Sequence, residues 1–215
     1  MKIIITESQY NNLIQKDLDE DYPTSWSIEE FKKLTSFSAR VNYCNQHLQR
    51  LSSGSSRIVY KIDDNKVLKL AKNKKGIAQN ETEIDFGNDS YVNDVVAKIF
   101  DHDENNLWVE MELAKKVTPS IFKNIVGVTF ENYCHIIKYR NSISVDFGFT
   151  VSKPENYNDI WENEFVYNMM DFMVNYELPW GDLCRLSSYG LVGNNRIVLI
   201  DYGLTSDVYD TYYKR

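Results

Sequence analysis

With 215 residues, 43% of them hydrophobic and 26% charged, the chain has the length for one sizeable domain or two small lobes and the composition of a folded protein. A formal net charge of −7, with no basic run longer than Lys72-Asn-Lys-Lys75, argues against non-specific nucleic-acid binding. Cys44, Cys134 and Cys184 give neither a disulfide framework nor a zinc spacing, and no apolar run suits a membrane span or a signal peptide, so the expectation is a soluble protein of a reducing cytoplasm.

Met1–Ile5 reads as a strand, and Thr6 with Gln9 forms a capping-box pattern before a helix carrying Tyr10, Leu13 and Ile14. The acidic stretch 17–25 contains proline and reads as a loop. Ser27 with Glu30 opens a second helix bearing Ile28 and Phe31. A third, over Ala39–Leu51, presents Val41, Cys44, His47, Leu48 and Leu51 around an apolar face. Residues 1–50 show no chemistry and are expected to be a helical extension whose role is packing, His47 included.

At Leu51-Ser-Ser-Gly-Ser-Ser-Arg-Ile-Val-Tyr60 the character changes to a small-residue loop followed by β-branched residues. Asp63-Asp-Asn65 makes a turn, and Lys66–Leu70 a strand whose alternation places Val67 and Lys69 on one face. Lysine between apolar neighbours is commonly the solvated edge of a strand; the preceding Ser/Gly loop points instead to phosphate contact through backbone N–H groups. Gly76–Phe86 reads as a helix with Ile77, Glu81 and Ile84 on one stripe. An acid on that stripe asks for a cation, and Lys69 is the expected partner, with Glu83 as the second choice. Val95–Phe100 and Leu107–Ala114 read as two further strands, completing about five antiparallel strands over residues 51–114.

From residue 115 the pattern turns helical. Ser120 caps a short helix ending near Gly127, Thr129 caps a second through Arg140, Val145, Phe147 and Phe149 alternate like a strand, and Asp159–Tyr176 forms a long helix ended by Pro179. Tyr189–Val192 and Arg196–Ile200 make a hairpin around Gly193-Asn-Asn195, bringing Asp182 and Asp201 towards one cleft. An acid at the end of the apolar run Ile197–Ile200 needs a partner: a metal ion, an arginine, or simple exposure at the strand end. The tail Asp207–Tyr213 reads as a segment docked on the helical lobe or, alternatively, as a self-modification site.

The order of these features resembles the protein-kinase-like fold: Ser/Gly loop, Lys69, an acid on the following helix, the Met111–Ala114 strand end, Asp182, and Asp201-Tyr-Gly203. The N-terminal Met-Lys-Ile-Ile-Ile-Thr-Glu-Ser-Gln and the Asp-Tyr-Gly-Leu-Thr segment are similar to the short kinase-like proteins of large tailed bacteriophages, which implies a host cytoplasm. The resemblance implies an α+β, minimal bilobal fold: an N-terminal antiparallel sheet with one helix over 51–114, and a reduced helical lobe over 115–215. It implies ATP and Mg²⁺ as cofactors, with Lys69, Glu81 and Asp182 catalytic and Asp201 and Ser187 on the metal. Met111 would gate the adenine pocket and Glu112 to Ala114 would form the hinge. Ser52, Ser53, Gly54, Ser55, Ser56, Val59 and Val67 complete the implied nucleotide-binding set.

The chain departs from the kinase pattern at several points. Ser52 and Arg57 stand where the outer two glycines would be, Trp180 replaces a histidine, and Ser187 or Ser188 replaces a metal-holding asparagine. The chain also stops twelve residues after Gly203, without the helices that bind a protein substrate. The expected activity is a minimal ATP- and magnesium-dependent phosphotransferase with an unknown protein or small-molecule acceptor. The alternatives are a pseudokinase acting through a protein partner, and an AMP transferase on the same scaffold.

Overall fold

The computed structural model describes residues 25–89, 91–92, 94–144 and 151–214. The expected strand at 1–5, the helix after Thr6 and the alternating stretch 145–149 lie outside the described residues.

Ser27 caps α1 (Ile28–Lys32) as expected, accepting from the Glu30 N–H at 3.3 Å. Ser36 caps α2 (Phe37–His47). This helix stops short of the expected Leu51, because the chain turns at Leu48 into β1 (Gln49–Ser53) and pairs with β2 (Arg57–Lys61). Leu48 and Leu51 have helical spacing, but Leu51 is an exposed strand residue. Beyond the Asp63–Asn65 turn, where the Asn65 N–H donates to Asp63 Oδ1 at 2.6 Å, lies β3 (Lys66–Ala71). Next come α3 (Lys74–Gly87), β4 (Ile99–His102) and β5 (Trp108–Glu112). The five strands form one antiparallel sheet in the order β1-β2-β3-β5-β4.

The strand expected over Val95–Phe100 starts only at Ile99. Val95, Val96 and Ala97 are buried but belong to the other lobe's strand system: the Leu199 N–H donates to Val95 O at 2.7 Å, and the Ala97 N–H to Leu199 O at 3.0 Å.

The second lobe begins with β6 (Lys115–Lys116), followed by α4 (Pro119–Val126), α5 (Phe130–Ser144), α6 (Tyr157–Trp161) and α7 (Glu164–Asn175). Thr118, not Ser120, caps α4, since Pro119 fits the first helical turn and the Ile121 N–H reaches Thr118 Oγ1 at 3.2 Å. The single long helix expected over Asp159–Tyr176 is two helices. Asn163 breaks it by accepting from the Val166 N–H at 3.2 Å and donating to Val126 O at 2.7 Å.

Pro179 leads into the short α8 (Trp180–Leu183). After a 3-10 turn at Leu186–Ser188 come β7 (Tyr189–Val192), β8 (Arg196–Leu199) and α9 (Ser206–Tyr212). The β7–β8 hairpin has the expected register, with Val192 opposite Arg196, and Gly193 takes φ +59°, which the turn requires. β6 pairs with β7, giving a three-stranded sheet β6-β7-β8. The α+β bilobal arrangement expected from the sequence is present. Among the described residues no helix is long and apolar enough to cross a membrane.

Two apolar clusters hold these elements. One joins Trp26, Phe31, Cys44 and Leu48 to Ile58, Tyr60, Leu68 and Trp108, so α1 and α2 cover the outer face of the five-stranded sheet. The other runs from Val67 and Met111 in that sheet through Val95–Ala97 to Phe122, Tyr133, Met169 and Leu199. Phe31 is fully buried with its ring 5.7 Å from Trp108, edge-on. Phe31→Ala should therefore cost about 3–5 kcal/mol of stability in denaturant unfolding. A loss below about 1 kcal/mol would show that α1 is peripheral to the sheet.

Candidate active site

A cavity of about 470 Å³ opens between the two lobes. Ser52 lines it from β1, Gly54, Ser55 and Ser56 from the β1–β2 loop, Val59 from β2, and Val67 and Lys69 from β3. Met111, Glu112, Leu113 and Ala114 line it from β5 and the connection into the second lobe, and Ser187, Ile200 and Asp201 from the far side. Of the nucleotide-binding residues expected from the sequence, Ser53 alone does not line the cavity; it is exposed, with Lys72 Nζ 3.4 Å from its hydroxyl.

Lys69 is 6% exposed and donates to both Glu83 oxygens at 3.0 Å and to Ile200 O at 2.7 Å. The acid expected here, Glu81, is exposed. The side of α3 turned to the sheet is Gly76, Gln79, Asn80, Glu83 and Ile84, a stripe with helical period that includes Glu83. Ile77, which suggested the Glu81 stripe, is only half-buried, whereas the polar Gln79 and Asn80 are buried. Burial pushes the Lys69 ammonium below its ordinary pKa, opposed by the Glu83 carboxylate and reinforced by the neighbouring Arg57.

Arg57 lines the same cavity, and motif reasoning missed it. It is 7% exposed and bonds to Glu83 Oε2 at 2.7 Å, Asp201 Oδ1 at 2.6 Å and Asn80 Oδ1 at 3.3 Å. The sequence signal was present in two places: an arginine following the Ser/Gly loop, and an acid at a strand end that needed a metal, an arginine or exposure. Asp201 has the arginine and also keeps 62% of its side chain exposed. Buried Gln79, which joins Ser56 Oγ at 2.7 Å to the Tyr213 hydroxyl at 3.2 Å, was missed as well.

The β1–β2 loop is fastened from behind. Lys72 Nζ donates to Gly54 O at 2.8 Å, Asn73 Nδ2 to Ser55 O at 3.0 Å, and the Lys72 N–H to Ser56 O at 2.7 Å. Three successive carbonyls are thereby turned onto the β3–α3 corner.

On the opposite wall the Ile200 N–H donates to Ser188 O at 2.8 Å, which extends the hairpin, and Ser187 and Asp201 both line the cavity there. Gly203 lets this segment approach α3: a Cβ there would lie 2.3 Å from Gln79 O. Asp182 sits in α8, outside the cavity lining, with Arg185 3.0 Å from its Oδ1. Burial raises its carboxyl pKa; Arg185 opposes the shift and the Asp201 charge adds to it, so the two acids sense each other. Met111 is buried opposite Val67. The Glu112 N–H donates to Lys98 O at 2.8 Å and the Leu113 N–H to Asn65 O at 2.6 Å, while the Glu112 carboxylate holds Arg196.

The donors fit a magnesium ion poorly in this arrangement. Asp201 gives its Oδ1 to Arg57, and Ser187 offers a neutral hydroxyl, a weak ligand beside a carboxylate.

The tail helix α9 does not rest on the helical lobe alone. Its Ser206 hydroxyl donates to Glu177 O at 3.1 Å, but Tyr213 reaches α3, with Lys75 Nζ 4.2 Å from its ring, and lines the cavity. Cys134 and Cys184, distant in sequence, meet beside α8, with Cys184 Sγ 3.8 Å from Cys134 O.

No protein-family model matches the chain, and no curated protein matches it. Solved structures similar to it include the ADP-bound aminoglycoside phosphotransferase APH(2'')-Ib (12% identity, 79% of this chain and 71% of that one, TM-score 0.38). Another is the GDP complex of aminoglycoside 2'-phosphotransferase-IIIa (12% identity, 93% and 73%, TM-score 0.38). A choline/ethanolamine kinase family protein from Mesorhizobium loti is also similar (16% identity, 80% and 66%, TM-score 0.28).

Glu83→Gln would strand two buried cations and should lower stability by about 3–5 kcal/mol, whereas Glu81→Gln should stay within about 0.5 kcal/mol of the parent in the same denaturant series. Equal effects would remove Glu83 from the centre of the site. Asp182 supplies a pH test. Its folded pKa is raised, so its ionisation opposes folding at pH 7 and that penalty fades as pH falls through the folded pKa towards the ordinary carboxylate value. Asp182→Asn should therefore melt no lower than the parent at pH 7, and the difference should shrink on acidification. A variant that melts lower at neutral pH would mean the Asp182 charge stabilises the fold.

Proposed function

We propose that the chain is a nucleotide-dependent phosphotransferase of kinase type, with ATP as the donor. The observation that carries this is the convergence of the Lys69–Glu83 pair, the Ser/Gly loop and Asp201 on one cavity of about 470 Å³, a volume in the range of small-ligand pockets. The sheet side, residues 51–114, would hold the nucleotide, with its base against Val59, Val67 and Met111 and its edge read along Glu112–Ala114. Lys69 and Arg57 would supply positive charge to the phosphates, and Ser52–Ser56 the loop that covers them. Residues 115–215 would carry the acceptor side, with 1–50 as an extension.

The reaction needs a base near the incoming hydroxyl, and Asp182 suits that role. Its raised pKa makes it a stronger proton acceptor than an ordinary carboxylate, and Arg185 orients it. The acceptor oxygen would bond to the γ-phosphorus as the bridging P–O bond to the β-phosphate breaks; the hydroxyl proton passes to Asp182 and ADP leaves. The acceptor is a hydroxyl compound, small or protein-borne.

A second reading, a kinase-shaped module that holds nucleotide without transferring phosphate, is favoured by one observation, the Arg57–Asp201 pair. Thermal-shift titration with ATP followed by incubation with γ- and α-labelled ATP separates the readings. Phosphotransfer predicts nucleotide stabilisation and γ-label in an acceptor; stabilisation with neither label moved supports the binding module, and α-label transfer would make it an AMP transferase. Asp182→Ala should keep the ATP-induced shift and lose about 10²–10⁴-fold in turnover. Parental turnover in that variant would remove Asp182 as the base.

A further inference from the structure

We propose that Arg57 is the resident cation of this site, paired with Asp201 Oδ1, so that the cavity takes a nucleoside polyphosphate without a divalent metal. The inference rests on the nucleotide reading above and specifies how the phosphates are held.

Three observations carry it. First, Arg57 is built in: it is 7% exposed, lines the cavity and bridges Glu83 at 2.7 Å and Asp201 at 2.6 Å, with Asn80 at 3.3 Å as a third partner. These contacts engage three of the five guanidinium N–H donors of a side chain that lines the cavity. Second, the charges already balance, with Arg57 and Lys69 against Glu83 and Asp201. Asp201 gives its Oδ1 to Arg57, so a divalent ion on the other oxygen would stand beside a guanidinium that cannot lose its proton, like charge beside like charge. Third, Arg57 directly follows the small-residue loop, whose carbonyls are tied back to Lys72 and Asn73. The loop therefore presents Arg57 to the cavity from a fixed backbone.

The test is ATP binding to the full chain by calorimetry, in EDTA and in excess Mg²⁺. The expected result is a Kd in EDTA within about threefold of that in Mg²⁺, and in Arg57→Ala a loss in EDTA of about tenfold or more, the worth of one charge-assisted hydrogen bond. Arg57→Lys keeps the charge and should retain more metal-free affinity than Arg57→Ala. Should Arg57→Ala not fold, Mn²⁺ partition measured by electron spin resonance on the parent decides: Mn²⁺ should bind the protein–ATP complex no more tightly than it binds ATP alone. A parent that binds ATP only with Mg²⁺, or that tightens Mn²⁺, overturns this inference and leaves the nucleotide reading standing. A parent that binds ATP in neither condition overturns both.

Discussion

A fully buried carboxylate, Glu83, shared by two buried cations is the constraint on which the rest of the structure depends. An ionised acid removed from water costs several kcal/mol unless its charge and its lone pairs are met. Lys69 meets both oxygens and Arg57 meets one, so β3 and β2 are tied to α3. Lys69 also reaches Ile200 O and Arg57 reaches Asp201, so the same pair of cations fastens the end of β8 to the sheet. Each neighbour completes the accounting: Asn80 accepts from Arg57 and donates to Asn106 O, while Gln79 accepts from Ser56 and donates to Tyr213. The sheet-facing side of α3 is thus a polar network with its hydrogen bonds made, and its position follows from charge pairing more than from apolar burial.

Apolar packing then limits how far the two lobes can separate. Val67 and Met111, on the sheet side of the cavity, share one cluster with the core of the helical lobe. Tyr202 is buried beside Asp201, stacks edge-on with Phe172 and donates to Ala97 O. The 95–97 segment is hydrogen-bonded to β8 rather than to the five-stranded sheet. The back of the cleft is continuous core, and the open side is the loop side.

Much of this could be read from the chain, and the failures share a cause. The hairpin around Gly193, the Lys69 strand and the capped α1 follow from period, turn residues and apolar runs, whereas the gathering of Lys69, Met111 and Asp201 on one cavity was implied by the kinase-like resemblance. Those signals assume that polar residues face water. On α3 the rule inverts: Gln79, Asn80 and Glu83 are buried while Ile77 is only half-buried, so an apolar stripe drawn through Ile77 selected Glu81. Buried polar side chains look exposed in a sequence because their partners are distant, Ser56 and Arg57 in β2 and its loop, Asn106 before β5. The break at Asn163 was hidden in the same way, since the bond that fixes it runs to Val126 O in another helix. Where an element ended through a local device, such as Gly127 or Gly193, the position was close to legible.

Arg57 shows why a departure from a motif can carry more than a match. A glycine in that place would leave the backbone free to fold over a ligand but contribute no charge. An arginine gives up that freedom, and the structure replaces it with attachment: Lys72 and Asn73 hold the loop carbonyls from behind, and Glu83 and Asp201 hold the guanidinium in front. Positive charge is thereby fixed in the cavity wall, paired with Glu83 and Asp201. Such a wall is pre-organised, because Arg57 loses its side-chain freedom on folding and has little left to lose on binding. Its limitation follows from the same bonds. A guanidinium shared with two acids carries less unbalanced charge than a bare divalent ion.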